Sequence, residues 1–195
     1  MIILASESAS RKAMLTAAGV DFEAYPARID EEGVTAEMRG RSVRDVADRL
    51  AELKAVKVSF QRPGHFVLGS DSMLEVARGQ WLEKPGDPAG LRAQLRALRG
   101  RPHKLVSAAV VARDGRALWR HVEVATLTVR PFSDAWIERY VAACGDDVLW
   151  SVGGYHLEGL GVQLFEKIEG DQFVVRGLPL LAVLAWLREA GEMTL

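Results

Sequence analysis

The sequence lacks the residues that several common kinds of site require. It contains one cysteine, Cys144, among 195 residues, which excludes a disulfide framework or a cysteine-based metal site within one chain. Its four histidines do not have the spacing of metal ligands; they are His65, His103, His121 and His156. A Walker lysine loop, a dinucleotide-binding fingerprint and a nucleophile elbow are also missing. We therefore assign no role to the histidines or to the cysteine.

An excess of charge of one sign and long apolar runs are missing as well. The 25 Lys and Arg residues balance 26 Asp and Glu residues, for a formal net charge of −1, which argues against general nucleic-acid binding. No stretch approaches the ~20 apolar residues of a membrane span, and the N-terminus lacks the pattern of a signal peptide. We expect a cytoplasmic protein without nucleic-acid or membrane partners, and the sequence leaves a homodimer open.

The composition that remains is that of a soluble globular protein, with 49% hydrophobic and 26% charged residues. A chain of this length can form one sizeable domain or two small lobes. Strand and helix patterns alternate along it, with one long hairpin and no repeat or clear linker. This order predicts an α/β fold with a mixed, twisted central sheet flanked by helices, in a single domain over residues 1–195.

Apolar runs and helix caps predict the position of each element. Strands are predicted at 2–5, 66–68, 103–112 and 117–130, with extended stretches at 20–29 and 73–76 and a closing hairpin from 162–168 and 173–175. Helices are predicted from Ser8 or Ser10 to Gly19, from Ser42 to Val56, and over 88–98, 133–143 and 180–190. The dipeptide Asp114-Gly115 predicts the turn of the long hairpin.

The first strand, residues 2–5, ends in a cluster of serines followed by cations. Free backbone N–H groups at the start of the next helix, together with the helix dipole, form a ready site for an anion. Ser6 and Ser8 add hydroxyl donors, and Arg11 adds a planar guanidinium group suited to phosphate oxygens. The alternative is an ordinary helix cap with surface cations, and this segment alone does not decide between them.

Asp71 follows a buried strand and Gly69, a position at which α/β sheets bind ligands. A carboxylate there can bind a metal ion or act as a general base, or it can be a turn aspartate bonded to its own backbone. Glu31, Lys54 and Lys84 are weaker candidates individually, since each is also typical of a solvated surface.

Residues 151–161 are rich in glycine and place Glu158 between Gly153-Gly154 and Gly159-Leu160-Gly161. Glycines allow a backbone to approach a flat ligand closely. The alternative is a loop with unusual backbone angles and no ligand.

Taken in order, these segments resemble the Maf family of nucleoside triphosphate pyrophosphatases along nearly the whole chain. The family's opening block, L-A-S-x-S-P-x-R, reads LASESASR at 4–11. The blocks V-L-G-[AS]-D and [LI]-x-K-P read VLGSD at 67–71 and LEKP at 82–85. An acidic pair, Asp30-Glu31, and a helical lysine, Lys54, lie between the first block and the second.

The resemblance continues through the second half of the chain. The glycine-rich block A-G-x-[YF]-x-x-[QE]-G-x-G reads VGGYHLEGLG at 152–161. The tail E-G-D…V-G-L-P-L reads EGD at 169–171 and RGLPL at 176–180. The resemblance implies an ITPase-like architecture with a cleft between two lobes.

The resemblance also implies an activity: hydrolysis of nucleoside triphosphates between the α and β phosphates, giving a monophosphate and pyrophosphate. The implied cofactor is a divalent cation, Mg, Mn or Co. Asp71, Lys84 and Glu31 are the implied catalytic residues, with Asp71 and Glu31 as the metal ligands. The groups expected on the substrate phosphates are Ser6, Ser8, Arg11, Lys54 and Lys84.

Several positions depart from the family pattern, and Ala9 replaces its proline. Ser10 stands where the branch that prefers dTTP and UTP has a cation, and Ser151 where that branch has a lysine. Glu158 stands where that branch has glutamine, as in the branch that acts on 7-methyl-GTP. The two branches have threonine or glutamine at the position of Ser72, which indicates a third specificity group.

These departures predict the substrate class. An ionised Glu158 only accepts hydrogen bonds, and guanine offers two donors side by side, so we expect a guanine-type or modified purine substrate. Ser10, Ser72 and Glu158 are therefore the predicted specificity residues. The alternatives are that Glu158 only bonds loop amides, that the substrate is another phosphoanhydride, or that the chain is a non-catalytic nucleotide-binding regulator linked to septum formation.

Overall fold

Residues 1–193 are described in a computed structural model, and they form one mixed sheet of seven strands. The strands are β1 (Ile2–Leu4), β2 (Phe22–Ala24), β3 (Val67–Ala77), β4 (Gln80–Leu82), β5 (Pro102–Arg113), β6 (Arg116–Val129) and β7 (Phe165–Glu169). Their order is β2-β1-β3-β5-β6-β7, with β4 paired to β3 outside that path. Strand β1 pairs in parallel with β2 and β3, whereas the other pairs are antiparallel.

Seven helices accompany the sheet within residues 1–193. They are α1 (Ala9–Ala17), α2 (Glu31–Glu37), α3 (Val43–Gln61), α4 (Pro88–Leu98), α5 (Asp134–Ala143), α6 (Gln172–Val175) and α7 (Leu180–Glu189). Short 3-10 turns follow α5 at Asp147–Trp150, Val152–Gly154 and Leu160–Leu164. None of the helices in this described part of the chain has the length and apolar character needed to cross a membrane.

Side-chain caps explain where four of the predicted helices begin. Ser8 caps α1 and Ser42 caps α3, each by accepting a hydrogen bond from a backbone N–H in the first turn. Asp87 and Ser133 do the same for α4 and α5. A cap oxygen satisfies one of the backbone donors that a helix start leaves free. The predicted starts are confirmed, and Ser8 rather than Ser10 is the cap of α1.

The long hairpin of β5 and β6 is also confirmed. Asp114 and Gly115 join the strands with φ values of 50° and 80°. Two successive positive φ angles belong to the tight turns whose twist matches that of the flanking strands, and the Asp-Gly pair tolerates them.

The predicted closing hairpin is wrong. Residues 165–169 form β7, but β7 pairs with β6 and not with a strand at 173–175. The Asp171 side chain accepts a hydrogen bond from the Phe173 N–H at 2.9 Å, and this cap turns the chain into α6.

The acidic triplet at 30–32 begins a helix, whereas the sequence predicted the end of an extended stretch. Asp30 accepts a hydrogen bond from the Gly33 N–H at 3.0 Å and caps α2. The helix dipole favours carboxylates at such a start. Glu31 is therefore held in the first turn of a short helix.

Helices cover both faces of the sheet, because successive residues of a strand point to opposite sides. Ile2 and Leu4 of β1 pack in the same core region as α1 and α7. Ile3, between them, packs with Val58 of α3. The predicted fold class, a mixed α/β structure with a central sheet flanked by helices, is confirmed.

Strand β3 contributes residues to four core regions, and two of them bracket its polar stretch. Its residue Leu68 packs with α1 and α7, whereas Leu74 packs with Leu91 and Leu95 of α4. The polar stretch Ser70–Ser72 lies between these two apolar regions, and this position determines where the candidate site forms.

Candidate active site

The parallel pairing of β1 with β3 brings two polar segments together. Leu4 lies opposite Leu68 in the register of these strands, so the residues just beyond the end of β1 come beside the middle of β3, where Asp71 pairs with Ala108 of β5. Ser6 comes from the first segment and Asp71 from the second, and both are buried. The sequence prediction that these separate motifs form one site is consistent with this placement.

Helix α3 carries Lys54 onto β3 at a point of very close backbone approach. A Cβ at Gly69 would lie 2.2 Å from the Ala51 carbonyl oxygen and 2.6 Å from the Ala55 nitrogen. Only glycine leaves room for the helix here. Since Lys54 lies on the turn between these two contacts, its side chain reaches Asp71.

Lys54 joins the two candidate carboxylates. Its Nζ lies 2.6 Å from Asp71 Oδ1 and 2.7 Å from Glu31 Oε1. Lys54 is 8% exposed and Asp71 is 7% exposed, so the ammonium group and this carboxylate interact away from bulk water. The structure thus brings together three candidate residues of the sequence, Asp71 on β3, Glu31 on α2 and Lys54 on α3.

The environments of the two carboxyl groups push their pKa values in opposite directions. Burial raises the pKa of Asp71, and the charges of Lys54 and Arg11 reduce that rise without cancelling it. Partial burial also acts to raise the pKa of Glu31, but Lys54, Lys84 and Arg11 outweigh it and lower that pKa. A pair separated in this way can supply one proton acceptor and one permanent anion.

Arg11 is fixed by neutral partners through all three of its nitrogens. Its Nε donates to the Gly177 carbonyl at 2.8 Å, its Nη1 to Ser6 Oγ at 3.2 Å and its Nη2 to Ser72 Oγ at 3.1 Å. Burial lowers its pKa, while the charges of Asp71 and Glu31 act against that lowering. Because none of these hydrogen-bond partners is an anion, the charge of the guanidinium group stays available to a bound anion.

Ser6 and Ser8 organise the start of α1 around this arginine. Ser6 Oγ accepts hydrogen bonds from the Ser8 N–H at 3.2 Å and from Arg11. Ser8 Oγ accepts from the Arg11 N–H at 3.3 Å. The segment is therefore a helix cap, as one interpretation of the sequence held, but its arginine points into the site and not into solvent.

The Gly177 carbonyl oxygen accepts hydrogen bonds from several site residues, a role that the sequence did not predict. It accepts hydrogen bonds from Arg11 Nε, from Ser70 Oγ at 3.2 Å and from Ser72 Oγ at 3.1 Å. Gly177 has a φ of +99°, and a Cβ there would lie 3.2 Å from Ser72 Oγ. The available signal was the RGLPL motif at 176–180, which the sequence analysis quoted without assigning a role.

Ser107 extends this polar cluster into the sheet. Its hydroxyl lies 2.9 Å from Ser72 Oγ and donates to the Val174 carbonyl at 2.8 Å. Ser72, predicted as a specificity residue, therefore lies against Arg11 and the end of α6. It has no hydrogen bond to Glu158.

Glu158, by contrast, does contact Ser10. Ser10 Oγ lies 3.3 Å from Glu158 Oε1 and 3.1 Å from the Arg176 carbonyl oxygen. Arg176 Nε donates to the same Glu158 oxygen at 2.6 Å. The alternative that Glu158 only bonds loop amides is therefore not what the structure shows, and Arg176 is a second residue that the sequence did not single out.

Lys84 lies at the exposed rim of this site. Its charge is close enough to Glu31 to lower the pKa of that carboxyl group. The next residues meet the glycine-rich loop: a Cβ at Gly154 would lie 3.4 Å from Pro85 Cγ, and the Gly86 N–H donates to the Leu149 carbonyl at 3.0 Å. The residues that follow Lys84 thus lie against the segment that leads to Glu158.

A preformed cage of metal ligands is not part of this arrangement. Within residues 1–193, no group of three or more histidine, cysteine, aspartate or glutamate side chains is placed to hold a metal ion. The two carboxylates joined by Lys54 are the oxygen ligands that this site offers.

Comparison with known proteins identifies the family. The model of the family described as Maf-like protein matches residues 1–190. The chain belongs to the Maf family. The family predicted from the sequence motifs is therefore confirmed.

Curated Maf relatives cover nearly the whole chain. A nucleoside triphosphate pyrophosphatase of Caulobacter vibrioides is 52% identical over 195 residues, which are 99% of this chain and 97% of the relative. A 7-methyl-GTP pyrophosphatase of Mesorhizobium japonicum is 52% identical over 194 residues, 98% of this chain and 97% of the relative. A 7-methyl-GTP pyrophosphatase of Brucella abortus is 47% identical over 189 residues, 96% and 94% of the two chains.

Proposed function

We propose that this Maf-family chain is a hydrolase that cleaves nucleoside triphosphates between the α and β phosphates, releasing a monophosphate and pyrophosphate. The observation that carries the proposal is the buried Asp71 carboxylate, joined through Lys54 to Glu31 and placed beside Arg11. Relatives at 52% identity with the names of nucleotide pyrophosphatases support it. The alternative of a non-catalytic regulator is not favoured, since the acids and lysines needed for hydrolysis are present, and Asp71, Lys54 and Glu31 are in contact.

Three cations would bind the substrate phosphates. Arg11 and Lys54 are fixed by hydrogen bonds and ion pairs, whereas Lys84 is exposed and free to move toward a ligand. Ser6 and Ser8 would add hydroxyl donors at the start of α1. A fixed arrangement of donors requires little reorganisation when negative charge develops on the phosphates, which is the usual source of electrostatic catalysis.

Asp71 and Glu31 would hold the divalent cation. The fit rests on their chemistry: both are carboxylates, and one ammonium group lies within 2.7 Å of an oxygen of each. Magnesium typically takes one or two carboxylates and completes its shell with substrate oxygens and water, which agrees with a site that offers two. When bound, such a cation would neutralise charge on the phosphate oxygens as a Lewis acid.

Asp71 would also accept the proton of the attacking water. The new bond would form between the water oxygen and phosphorus, and the bridging oxygen of the α–β anhydride would leave with pyrophosphate. The raised pKa of Asp71 suits a proton acceptor, because general bases work best when their pKa approaches the working pH. A metal-ligand role for the same carboxylate predicts a similar loss on mutation, so the two roles need separate measurements.

The test is product analysis with a nucleotide panel in the presence of Mg²⁺, Mn²⁺ or Co²⁺. Pyrophosphate rather than phosphate should appear with the wild type. Asp71→Asn should lower kcat by about a hundredfold or more at similar substrate affinity, while Asp21→Asn, at an exposed position, should not. A raised metal requirement in Asp71→Asn would indicate a lost ligand. Near-wild-type turnover in that variant would contradict the proposal.

For the base, we propose a guanine-type or modified purine nucleotide. Burial acts to raise the pKa of Glu158, but its backbone hydrogen bond and Arg176 outweigh this and lower it, so the side chain is an ionised acceptor. Guanine presents two adjacent donors, and base-edge contacts of this kind discriminate by about 1–3 kcal/mol. Relatives named for 7-methyl-GTP support the same class. A clear preference for dTTP or UTP in the panel would refute it.

A further inference from the structure

The segment before α7 holds α1 through two successive carbonyl groups. The Arg176 carbonyl accepts a hydrogen bond from Ser10 Oγ at 3.1 Å, and the Gly177 carbonyl accepts one from Arg11 Nε at 2.8 Å. These contacts join residues 166 positions apart. The backbone of Arg176 is therefore fixed against the helix that starts the phosphate site, and its side chain begins from a defined point.

The Arg176 side chain extends from this point to the glycine-rich loop. Its Nε donates to Glu158 Oε1 at 2.6 Å, with 22% of the arginine side chain and 43% of the glutamate side chain exposed. His156, on the same loop as Glu158, also acts to lower the pKa of the Glu158 carboxyl group. Its Nδ1 atom lies 3.4 Å from Asp147 Oδ2. From other elements, the groups facing Glu158 are Arg176 and the neutral hydroxyl of Ser10.

The hydrogen-bond capacity of Glu158 is only partly used. Ser10 has one hydroxyl proton and two acceptors in range, of which the Arg176 carbonyl at 3.1 Å is nearer than Glu158 Oε1 at 3.3 Å. Arg176 is therefore the firm partner of Oε1. Within residues 1–193, no other residue donates a hydrogen bond to the second oxygen, Oε2, whereas Oε1 is taken by Arg176, so Oε2 remains able to accept one from a ligand.

We propose that Arg176 is a specificity-determining residue that acts through Glu158: it holds one carboxylate oxygen so that the other faces the nucleotide base as a fixed acceptor. The proposal rests on the proposed function, because it takes the base to lie against Glu158. Arg176 is a positioning residue here and touches no reacting atom. A glutamate without this partner would sample more rotamers and would select less sharply between a base edge with two donors and one with a single donor.

The test compares kcat/KM for GTP and UTP in four proteins: wild type, Arg176→Gln, Glu158→Gln and the double variant. Arg176→Gln should lower the GTP-to-UTP ratio by about tenfold, chiefly through KM for GTP, since a base contact made equally in ground and transition states leaves kcat unchanged. In the Glu158→Gln background, Arg176→Gln should alter the GTP-to-UTP ratio by less than about twofold, because the effects of substitutions at two interacting residues are not additive.

A matched control is Arg92→Gln, which breaks an arginine Nε to glutamate pair of similar length, 2.8 Å to Glu138, between α4 and α5. It should leave the ratio unchanged. A second readout is independent of turnover: the Glu158 carboxyl titration, followed by NMR, should move to higher pH in Arg176→Gln, because a cation that favours the ionised form is gone.

Two results would overturn the proposal. One is an unchanged GTP-to-UTP ratio in Arg176→Gln; the other is an equal change in the presence and absence of Glu158. An unmoved Glu158 titration would also overturn it, whatever the activities. If the wild type hydrolyses none of the nucleotides, the proposed function fails, and the NMR titration still decides whether Arg176 controls Glu158.

Discussion

Among single residues, Lys54 has the largest electrostatic influence on the site. Its ammonium group contacts both Asp71 and Glu31. Lys54→Met keeps a long side chain in the helix but removes the charge that limits the rise in the pKa of Asp71. We expect kcat/KM to fall by about 10²–10³. We also expect the acidic limb of its pH profile to move to higher pH, because the Asp71 carboxyl group then ionises later.

The control for this variant is one turn along the same helix. Lys57→Met removes an exposed lysine that donates to the Arg28 carbonyl at 2.7 Å, and its pH profile should match that of the wild type. If Lys54→Met lowers activity with no displacement of the acidic limb, Lys54 does not control the ionisation of Asp71.

His103 offers a separate prediction, on stability. It is 2% exposed, and its burial lowers its pKa from 6.5 to about 4. The unfolded chain therefore takes up a proton between pH 6.5 and pH 4 that the folded chain does not. The free energy of unfolding therefore has its full value above pH 6.5 and falls as the pH decreases toward 4, by on the order of 3 kcal/mol.

The measurement is urea unfolding of wild type and His103→Gln across this pH range. The variant should show a flatter dependence of unfolding free energy on pH. Tyr155→Phe removes the hydroxyl that lies 2.7 Å from His103 Nε2 but keeps the ring buried, so it should retain the wild-type dependence. Equal slopes in wild type and His103→Gln would contradict the assignment.

At the scale of elements, the contact of α3 with β3 links packing to the site. Gly69→Ala would place a methyl group 2.2 Å from the Ala51 carbonyl oxygen, so the helix must shift. Overpacking of this kind costs about 1–3 kcal/mol. Because α3 carries Lys54, the shift should also lower activity, which the same protein preparation can show by urea unfolding and a turnover assay.

The matched glycine is Gly159, where an added Cβ meets nothing within 4 Å and φ is −132°. Gly159→Ala should change the unfolding free energy by less than about 0.5 kcal/mol. A Gly69→Ala protein as stable as Gly159→Ala would show that the helix and strand can separate at no cost.

The elements that the sequence predicted well are those with local signals. Caps at Ser42 and Ser133 and the Asp114-Gly115 turn each act within a few residues, and the structure confirms them. The closing hairpin failed because β7 found its partner in β6, whereas the Asp171 cap turned the next residues into a helix. Short apolar runs do not distinguish these outcomes without tertiary contacts.

The site shows the same division. Motif spacing indicated Asp71 and Arg11, because each has a chemically distinctive side chain in a recognised block, and Lys54 was indicated by its place between two blocks. Arg176 and Gly177 were missed because their contacts with α1 span 166 residues and both act through a backbone carbonyl. No local pattern predicts which carbonyl a distant arginine will find.

At the scale of the whole molecule, β3 connects two core regions without a break. Leu15 belongs to the region around α1 and α7, and Leu95 to the region around α4 and α5. If residues 1–195 are one domain, as predicted, Leu15→Ala and Leu95→Ala should each cost about 2–5 kcal/mol. Each should also leave one unfolding transition, with the same midpoint by circular dichroism and by fluorescence. Two separated transitions in either variant would indicate two domains.

The Gly177 carbonyl has one consequence for how the site responds to a change at Arg11. A carbonyl oxygen has two lone pairs, yet three donors lie within 3.2 Å of this one, Arg11, Ser70 and Ser72. If Arg11 is replaced, the Ser70 hydroxyl at 3.2 Å still satisfies the carbonyl. The replacement therefore strands no buried acceptor at Gly177, a state that costs about 1–3 kcal/mol where it occurs.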